Sequence, residues 1–419
     1  MNNLLKFPKG FFWGAATSAH QVEGNNHNDW TEWEKANAER LAKESQSRYA
    51  HWMKNWSDIK LKAQNPKNYI SGKAADHYNR FREDFDIAKS LGHNAHRFSI
   101  EWSRIEPEEG KFDEKEIEHY REVIKALRER GLEPFVTLWH WTMPVWFTNN
   151  GGFEKRENIK YFVRFCDRVV SELKSEVKFW IVLNEPNIYS GMSYIRGEWP
   201  PQKKSYLMFL RVFSNLIEAY NHVYDAIHNI NPEVSVGIAQ SVNYFEGWIA
   251  PVVRWFWVNR FLNRINNHLD FIGVNYYYRR LIRGFNFDAG EGQRTDMGWE
   301  IHPEGIYNAL KGLSGYHKPI YITENGIADA RDAKREKFIG EHLRWLARAL
   351  GEGVDIRGYF HWSLLDNFEW DKGFWPRFGL VEIDYKTLER KIRPSGYVYA
   401  KIAKNNAIEN DDLNKSNVL

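Results

Sequence analysis

The stretch Pro319-Ile-Tyr-Ile-Thr-Glu324-Asn-Gly326 joins a short apolar run to a carboxylate and to a pair of residues that break regular structure. The β-branched run through Thr323 is typical of a buried parallel strand, and Asn325-Gly326 predicts a turn at its end. The same order occurs upstream in Phe179-Trp-Ile-Val-Leu-Asn184-Glu185-Pro186. The chain therefore carries two glutamates, Glu185 and Glu324, at the ends of two predicted strands.

Apolar runs of strand length recur on both sides of these motifs and are separated by helical patterns, such as those at 116–130 and 161–173. Parallel strands need crossover helices, and eight strands close a barrel. We therefore predict an α/β fold, a single (β/α)8 TIM barrel with elaborated βα loops. It would occupy 1–419 as one domain, with a core from about residue 8 to 403 and a polar C-terminal tail at 405–419. The predicted strands are 11–17, 94–100, 133–139, 179–184, 235–241, 271–277, 319–323 and 356–363.

The composition argues against several classes of protein. A net charge of +3 from 58 basic and 55 acidic residues is too balanced for a nucleic-acid surface, so no nucleic-acid partner is expected. Cys166 is the single cysteine and cannot form an internal disulfide. No uncharged run reaches the roughly 20 residues of a membrane-spanning helix, and 11–19 is expected to be a first strand rather than a signal peptide. We expect a cytoplasmic protein.

The connection after the first strand is too long for a bare loop, so it is expected to carry a helix of its own. Residues with helical spacing predict where that helix lies. They are Tyr49, Trp52, Met53 and Trp56.

Residues 245–262 form an unusually aromatic segment, and three interpretations of it stay open. The favoured one is a helix packed on the barrel. The others are an apolar collar at the mouth of a cleft, or an interfacial patch that makes peripheral contact with a membrane and would make the cytoplasmic protein membrane-associated. The aromatic residues are Trp248, Trp255, Phe256, Trp257 and Phe261.

Polar and aromatic side chains follow the predicted strands rather than precede them. In a parallel barrel the carboxyl ends of all strands meet at one face, where barrel active sites lie. Residues that are far apart in sequence are therefore expected to converge there. They are Gln21 and Glu23 after the first run, Arg97 in the second, His140 and Trp141 after the third, Asn275 and Tyr277 at the end of the sixth, and Trp362, Glu369 and Trp370 at and after the eighth.

Two facing carboxyl groups can break a glycosidic bond when they differ in protonation. The ionised one attacks the anomeric carbon, and the protonated one gives its proton to the departing oxygen. Arg97 would hold one glutamate ionised, Tyr277 would donate a further hydrogen bond, and the resulting charge would raise the pKa of the other glutamate. Each motif alone is weak, because an Asn-Glu-Pro triplet is more often a capped turn and a lone His140 is more often structural. The joint pattern suits a site that binds a neutral polyol.

Seven motifs occur in one order along the chain: Trp13-Gly-Ala-Ala-Thr-Ser-Ala-His-Gln21-Val-Glu23-Gly24, Arg97-Phe-Ser-Ile-Glu-Trp-Ser-Arg-Ile105, Leu138-Trp-His140-Trp141, Asn184-Glu185-Pro186, Gly273-Val-Asn275-Tyr-Tyr277, Ile322-Thr-Glu324-Asn-Gly326 and Trp362-Ser-Leu-Leu-Asp-Asn-Phe-Glu369-Trp370. Over 11–400 the chain resembles an archaeal-like member of glycoside hydrolase family 1, the retaining β-glycosidases. The resemblance implies a hydrolase that needs neither a cofactor nor a metal. The sequence also contains no His-Glu-x-x-His metal motif.

Carried over to this chain, the resemblance implies that Glu324 is the nucleophile and Glu185 the acid/base. Arg97, Asn275 and Tyr277 would position Glu324 and balance its charge. In a retaining enzyme the two carboxyl groups are expected to lie about 5 to 5.5 Å apart. The implied substrate-binding residues are Gln21, His140, Trp141, Asn184, Trp362, Glu369, Trp370 and Phe378.

The expected partner is a small-molecule β-glycoside, with an apolar aglycone if 245–262 borders the cleft. We expect exo-hydrolysis of non-phosphorylated β-D-glucosides, together with galactosides, mannosides or fucosides. A subgroup of the family binds a sugar 6-phosphate with Ser, Lys and Tyr near the last strand. Glu369, Pro376 and Phe378 stand there in this chain, and an anionic glutamate would repel a phosphate. The alternatives are a 6-phospho-β-glycosidase and a non-catalytic barrel that binds sugar or lipid.

Overall fold

Eight parallel strands close into a barrel in a computed structural model that describes residues 4–51, 53, 55–283, 286–288 and 290–410. Each strand pairs with its neighbours in chain order, and the last pairs with the first. The predicted (β/α)8 barrel is thus confirmed. The barrel strands are β1 (Phe12–Ala16), β2 (Ala95–Ser99), β3 (Glu133–Trp139), β4 (Phe179–Asn184), β5 (Ser235–Ser241), β6 (Phe271–Asn275), β7 (Ile320–Asn325) and β8 (Ile356–Trp362).

The ends of β7 and β6 differ from the prediction. We predicted that the seventh strand stops at Thr323, but β7 continues through Glu324 and Asn325 because register shifts after Ile322 keep the chain paired with both neighbours. We predicted that the sixth strand reaches residue 277, but β6 ends at Asn275. Glu324 therefore lies within a barrel strand and is held by paired backbone on both sides.

A main helix follows each strand. The second of these helices is capped by Asp113, whose side chain accepts from the Lys115 backbone N–H, and it buries the predicted face that includes Ile117 and Leu127. The main helices are α1 (His77–Ser90), α2 (Glu114–Glu129), α3 (Ile159–Leu173), α4 (Tyr206–Ile230), α5 (Arg260–Ile265), α6 (Glu304–Leu313), α7 (Arg335–Gly351) and α8 (Pro394–Asn405). Additional α-helices are Ala19–Val22, Asp29–Tyr49, Trp56–Ala63, Trp102–Ile105, Val145–Asn149, Pro186–Ser190 and Ala250–Arg254; π-helical turns are Gly191–Arg196 and Trp255–Asn259.

The connection after β1 holds two further long helical segments rather than the one predicted around Tyr49 and Trp56. Asp29–Tyr49 begins at a capping box formed by Asn28 and Thr31, and a second helix, Trp56–Ala63, starts after a break. The helical spacing from Tyr49 to Trp56 was misleading because it spans that break. Trp52 lies outside the described residues. Tyr49 nevertheless faces the core, where its ring lies 5.6 Å from that of Trp375.

Aromatic rings fill the amino-terminal half of the barrel. Phe135 and Phe179 stack at 4.2 Å with nearly parallel planes, and the ring of Phe360 lies 4.8 Å from Phe135. Phe271 and Tyr321 lie edge to face at 5.2 Å. This filling leaves room for a cavity at the carboxyl ends of the strands.

Among the residues that the structure describes, three small sheets lie outside the barrel. Leu4–Lys6 pairs with Ala407–Glu409, Tyr244–Glu246 and Asn286–Asp288 flank Arg279–Arg283, and Val381–Ile383 pairs with Arg390–Ile392. The segment predicted as a polar tail from residue 405 is therefore structured at its start, because 407–409 completes a sheet with the amino-terminal segment. Residues 411–419 lie outside the described residues. Among the helices that the structure describes, none has both the length and the apolar character to cross a membrane.

We expect Gly326→Ala to destabilise the junction of β7 and β8. A Cβ atom at Gly326 would lie 1.7 Å from the backbone carbonyl oxygen of Trp362, which cannot rotate away. Overpacking of this kind costs about 1–3 kcal/mol or more, so the midpoint of thermal unfolding should fall. Gly351→Ala is the control, because no heavy atom lies within 4 Å of a Cβ there. Equal midpoints for the two variants would contradict the close approach.

Candidate active site

A cavity of about 450 Å³ opens at the carboxyl ends of the barrel strands. Most of the residues predicted to form the site line it, although they come from strand ends and βα loops that are in some cases more than 300 positions apart. The predicted residues on its wall are Gln21, His140, Trp141, Glu185, Tyr277, Glu324, Trp362, Glu369, Trp370 and Phe378.

Glu324, near the end of β7, is held by two strong donors. Arg97 Nη1 donates to one carboxyl oxygen at 2.5 Å, and the Tyr277 hydroxyl donates to the other at 2.6 Å. Arg97 is itself fixed, since its Nε donates to Thr137 Oγ1 at 3.2 Å. Burial raises the pKa of Glu324, and the Arg97 charge and the Tyr277 hydrogen bond oppose that rise. These donors favour the ionised form of Glu324.

Glu185, directly after β4, has a different environment. Its carboxyl oxygen accepts one hydrogen bond, from Asn275 Nδ2 at 3.0 Å. Burial raises the pKa of Glu185 well above its usual range, and the negative charge of Glu324 raises it further. Of the two buried carboxyl groups, Glu185 therefore keeps its proton to the higher pH. The cavity thus contains a carboxylate and, beside it, a carboxylic acid.

Amide side chains beneath the cavity link the two glutamates. Asn184 Oδ1 accepts from Arg97 Nη2 at 2.6 Å and from Asn275 Nδ2 at 3.2 Å. Thr323 donates to Asn275 Oδ1 at 2.7 Å, which fixes the orientation of that amide. Arg97, Asn184 and Asn275 are buried below the wall, so the predicted substrate-binding residue Asn184 is not among the side chains that line the cavity.

Glu369 and Gln21 form a further polar pair on the cavity wall. Gln21 Nε2 donates to the Phe368 carbonyl at 2.8 Å and to a Glu369 oxygen at 3.3 Å. Asn367 donates to the same oxygen at 3.0 Å. Burial raises the pKa of Glu369 to about 7. The pair presents both donors and acceptors to a bound polyol.

His140, Trp141 and Trp370 form an aromatic corner of the cavity. Trp370 lies 4.8 Å from Trp141 and stacks on His20, which is fixed by a 2.8 Å contact with buried Glu34. Burial and the nearby Arg97 charge lower the pKa of His140 well below its usual value, so this ring is neutral. A neutral imidazole beside flat indoles can exchange hydrogen bonds with hydroxyl groups and pack against C–H faces.

Three residues of the cavity wall adopt backbone conformations that non-glycine residues rarely adopt. The φ angles are 78° at Trp141, 43° at Glu185 and 51° at Trp370. Such conformations cost of order 1–3 kcal/mol each, persist only where the surroundings hold them, and cluster at functional sites. All three immediately follow a strand or lie in the loop after β8, so the barrel supplies the constraint.

Sequence reasoning missed one wall of the cavity. We call it the loop wall and define it as the lining residues from the loops after β4, β5 and β6: Ile188, Met192, Arg196, Glu198, Trp199, Ser241, Asn243, Tyr278, Arg280, Arg294, Met297, Gly298 and Trp299. Apart from Ile188 and Ser241, these residues lie in loops outside the barrel strands, on the π-helical segment Gly191–Arg196 or on the outer strand Arg279–Arg283, so the pattern of the barrel strands did not point to them. Tyr278 was indicated by its position in the sequence, because it directly follows the predicted site residue Tyr277.

The aromatic segment 245–262, all of which the structure describes, packs on the outside of the barrel and contributes no residue to the cavity wall. Val258, Phe261 and Leu262 are buried, as the favoured interpretation required. The cleft-collar interpretation is therefore wrong. Trp248, at 71% exposure, and Trp255, at 53%, remain on the surface.

Comparison with known proteins places this geometry in a family. The sequence profile of glycosyl hydrolase family 1 matches residues 4–248 and 259–408. The chain belongs to glycosyl hydrolase family 1. The resemblance inferred from the seven motifs is thus confirmed, and the protein is a glycoside hydrolase.

Relatives of this family 1 chain cover nearly all of it. A β-glycosidase from Pyrococcus horikoshii superimposes with a TM-score of 0.86 at 38% identity, over 100% of this chain and 99% of its own. Beta-glucosidase A of Thermotoga maritima is 33% identical over 97% of this chain and all of its own. A structure of the Thermotoga maritima β-glucosidase with deoxynojirimycin has a TM-score of 0.82 at 31% identity, covering 96% of this chain and 99% of that one. In the described part of this family 1 chain, no group of His, Cys, Asp and Glu side chains could hold a metal ion.

We expect Tyr277→Phe to move the acidic limb of the kcat/KM profile to higher pH. The lost hydroxyl stabilises the ionised form of Glu324, so without it the pKa of Glu324 rises and a higher pH is needed to ionise the group. A hydrogen bond to a charged group corresponds to about one pH unit. Tyr278→Phe removes a neighbouring hydroxyl and should leave this limb in place. If the acidic limb of the Tyr277→Phe profile stays at the wild-type pH, the hydrogen bond from Tyr277 does not lower the pKa of Glu324.

Proposed function

We propose that the protein is a retaining exo-β-glycosidase that hydrolyses non-phosphorylated β-D-glucosides, with a single catalytic domain formed by the barrel. The observation that carries the proposal is the unequal environment of two glutamates in one cavity. Glu324 accepts from Arg97 and Tyr277, whereas Glu185 accepts from the neutral Asn275. Double displacement requires this pairing of an ionised nucleophile with a protonated acid.

In the first step, Glu324 attacks the anomeric carbon and the bond to the aglycone oxygen breaks. Glu185 gives its proton to that oxygen, so a neutral alcohol or phenol leaves and a glycosyl ester forms on Glu324. The raised pKa of Glu185 supports this role, because the group must still carry its proton at the working pH. The separation of about 5 to 5.5 Å between the carboxyl groups stays a prediction.

In the second step, Glu185 takes a proton from water as the water attacks the anomeric carbon, and the bond from that carbon to Glu324 breaks so that the Glu324 carboxylate is restored. Formation of the ester removes the negative charge of Glu324, which is one cause of the raised Glu185 pKa. The pKa of Glu185 therefore falls once the intermediate has formed, and the same group can act as a base. The two roles of Glu185 follow from the charge state of its neighbour.

The remaining site residues would bind the sugar ring. The family resemblance assigns the 2-hydroxyl to Asn184, which lies just below the wall with its Nδ2 atom 3.2 Å from Nε2 of the lining residue His140. Arg97, Asn275 and Tyr277 would orient Glu324. The other hydroxyls would bind to Gln21, His140, Trp141, Glu369 and Trp370, with Trp362 as the platform under the ring and Phe378 beside it.

A neutral glycone suits this arrangement better than a phosphorylated one. Glu369 stands on the wall with acceptor oxygens and a pKa of about 7, so at and above neutral pH its charge would repel a phosphate. Some relatives are named beta-glucosidase A. Another relative, from Sulfolobus acidocaldarius, is named beta-galactosidase and is 30% identical over 98% of this chain. We propose glucosides as the main substrates, with galactosides, mannosides and fucosides as further ones.

The two glutamates can be assigned by chemical rescue. We expect Glu324→Ala to abolish hydrolysis of an aryl β-glucoside, and added azide to restore cleavage with α-glucosyl azide as the product. For Glu185→Ala we expect a loss of about 10²–10⁴-fold with poor leaving groups, and azide should give β-glucosyl azide. Product anomers are measured by NMR.

The matched control for this experiment is Glu198→Ala, which removes a different carboxylate on the cavity wall and should give neither azide product. Unchanged hydrolysis in Glu324→Ala would exclude Glu324 as the nucleophile. Intact folding with no hydrolysis of any glycoside by the unmodified protein would favour the non-catalytic barrel. Hydrolysis of a 6-phosphoglucoside alone would favour the phospho-specific alternative.

We also propose that the enzyme is cytoplasmic and makes peripheral membrane contact through 245–262. Trp248, Val252 and Trp255 are exposed by 71%, 67% and 53%. Residues 249–258 fall between the two stretches that the family profile matches, so this part of the surface is not a general family feature. Arg254 and Arg260 add positive charge beside the indole rings, and indoles with arginines suit an anionic lipid surface.

Vesicle co-sedimentation tests the membrane contact. We expect binding to vesicles that contain phosphatidylglycerol, with weaker binding in high salt, and loss of binding in the double variant Trp248→Ser and Trp255→Ser. Tyr397→Ser is the control, because Tyr397 is a similarly exposed aromatic residue, at 60%, on α8. The absence of binding to both anionic and neutral vesicles would refute the proposal.

A further inference from the structure

The loop wall combines apolar and aromatic side chains with charged ones, and its aromatic part lies beside Glu324. Tyr277, which contacts Glu324, has its ring 5.5 Å from Trp299, and Trp299 in turn lies 5.2 Å from Tyr278. Ile188 and Met192 follow Glu185 on the helical segments after β4. A group attached to the sugar on the Glu185 side would therefore meet aromatic and thioether surface.

Four cations also line the cavity, and three of them are already engaged. Arg196 forms an ion pair with Glu198 at 2.7 Å. Arg294 donates to the backbone carbonyls of Gly290 and Gly298. Lys372 pairs with Asp371. The charges of Arg196 and Lys372 are therefore paired within the protein, and Arg294 already donates hydrogen bonds to the backbone.

Arg280, the fourth cation, has no acidic partner within the part of the chain that the structure describes. Its guanidinium lies over the ring of Tyr278, 4.7 Å from the centroid, and the residue is half-buried on the cavity wall. The ring holds the side chain in place but leaves its planar donors unused. A fixed, partly desolvated guanidinium is the group that proteins use to bind carboxylate and similar anions.

We propose that the loop wall is an aglycone subsite for aromatic aglycones that carry an anionic group, with Arg280 as the counter-charge. The inference rests on the proposed glycosidase function and narrows its substrate class. An aryl ring can pack against Trp299 and Tyr278 while a carboxylate on that ring pairs with Arg280. Arg280 is a specificity residue here, since it lies away from the bond that breaks.

The chemistry of the site is compatible with such a substrate. The carboxyl groups Glu185, Glu324 and Glu369 face the sugar, so a negative charge there would be repelled. Negative charge on the aglycone instead meets Arg280, with the Arg196–Glu198 pair contributing no net charge nearby. The two ends of the cavity therefore select opposite properties, a neutral sugar and an anionic aglycone.

The test compares pairs of substrates that have nearly the same shape and differ in charge, and the comparison of wild type with variant cancels their difference in leaving-group reactivity. These are the 3- and 4-carboxyphenyl β-D-glucosides and the corresponding carbamoylphenyl glucosides, assayed with the wild-type protein and with Arg280→Gln. We expect the ratio of kcat/KM for the anionic to the neutral substrate to fall about fivefold in Arg280→Gln. The loss should fall on the anionic substrate and be larger at low salt.

Arg283→Gln is the matched control. Arg283 lies on the same strand, Arg279–Arg283, but is not among the cavity-lining residues, so the ratio should stay at the wild-type value. A ratio that is unchanged in Arg280→Gln for both ring positions would overturn the proposal. An equal loss for anionic and neutral substrates would also overturn it, because Arg280 would then act on shape or folding and not on charge.

A binding experiment separates failure of this inference from failure of the proposed function. Tryptophan fluorescence should report binding of 4-hydroxybenzoate to the wild-type protein, and Arg280→Gln should weaken it about fivefold. If no glucoside is cleaved but this difference is observed, the glycosidase assignment fails and the anionic subsite stands. If glucosides are cleaved and neither the ratio nor the binding responds to Arg280→Gln, the subsite is refuted and the glycosidase assignment stands.

Discussion

The contact between Arg97 and Glu324 is the interaction on which the rest of the site depends. Both side chains are buried, and together with Thr137, Asn184 and Asn275 they join β2, β3, β4, β6 and β7 in one network. Loss of one partner of a buried pair leaves an uncompensated charge and typically costs about 3–5 kcal/mol. The network therefore fixes the positions of the barrel ends and the protonation of the site together.

The charge of Glu324 also determines the behaviour of Glu185. The negative charge of Glu324 raises the pKa of Glu185, so the protonation state of Glu324 affects the proton affinity of its neighbour. Glu185 sits in a left-handed backbone conformation between β4 and the helix Pro186–Ser190, and the strand and helix together hold it there. Barrel strands thus position both groups, whereas residues from the βα loops form the loop wall of the cavity.

The features of the site that the sequence predicted are those that repeat with the strands. Because the carboxyl ends of parallel strands share one face, Arg97, Asn275 and Glu324 could be expected to converge from their positions after apolar runs. Features that arise from irregular backbone could not be predicted in this way. Register shifts and long-range packing, which periodicity does not encode, determine these features. They are the continuation of β7 through Asn325, the break after Tyr49, the strand Ala407–Glu409 and the exposure of Arg280 to the cavity.

The aromatic rings that fill the lower half of the barrel make the cavity a blind one. Phe135, Phe179 and Phe360 close the path toward the amino ends of the strands, so every molecule must enter and leave through the same mouth. In the double displacement that we propose, the leaving aglycone therefore has to depart before water can reach the sugar ester on Glu324. On the same proposal, an alcohol that binds at the vacated loop wall before water arrives becomes the acceptor. The order in which molecules enter through the one opening would then decide between hydrolysis and transfer of the sugar to a new alcohol.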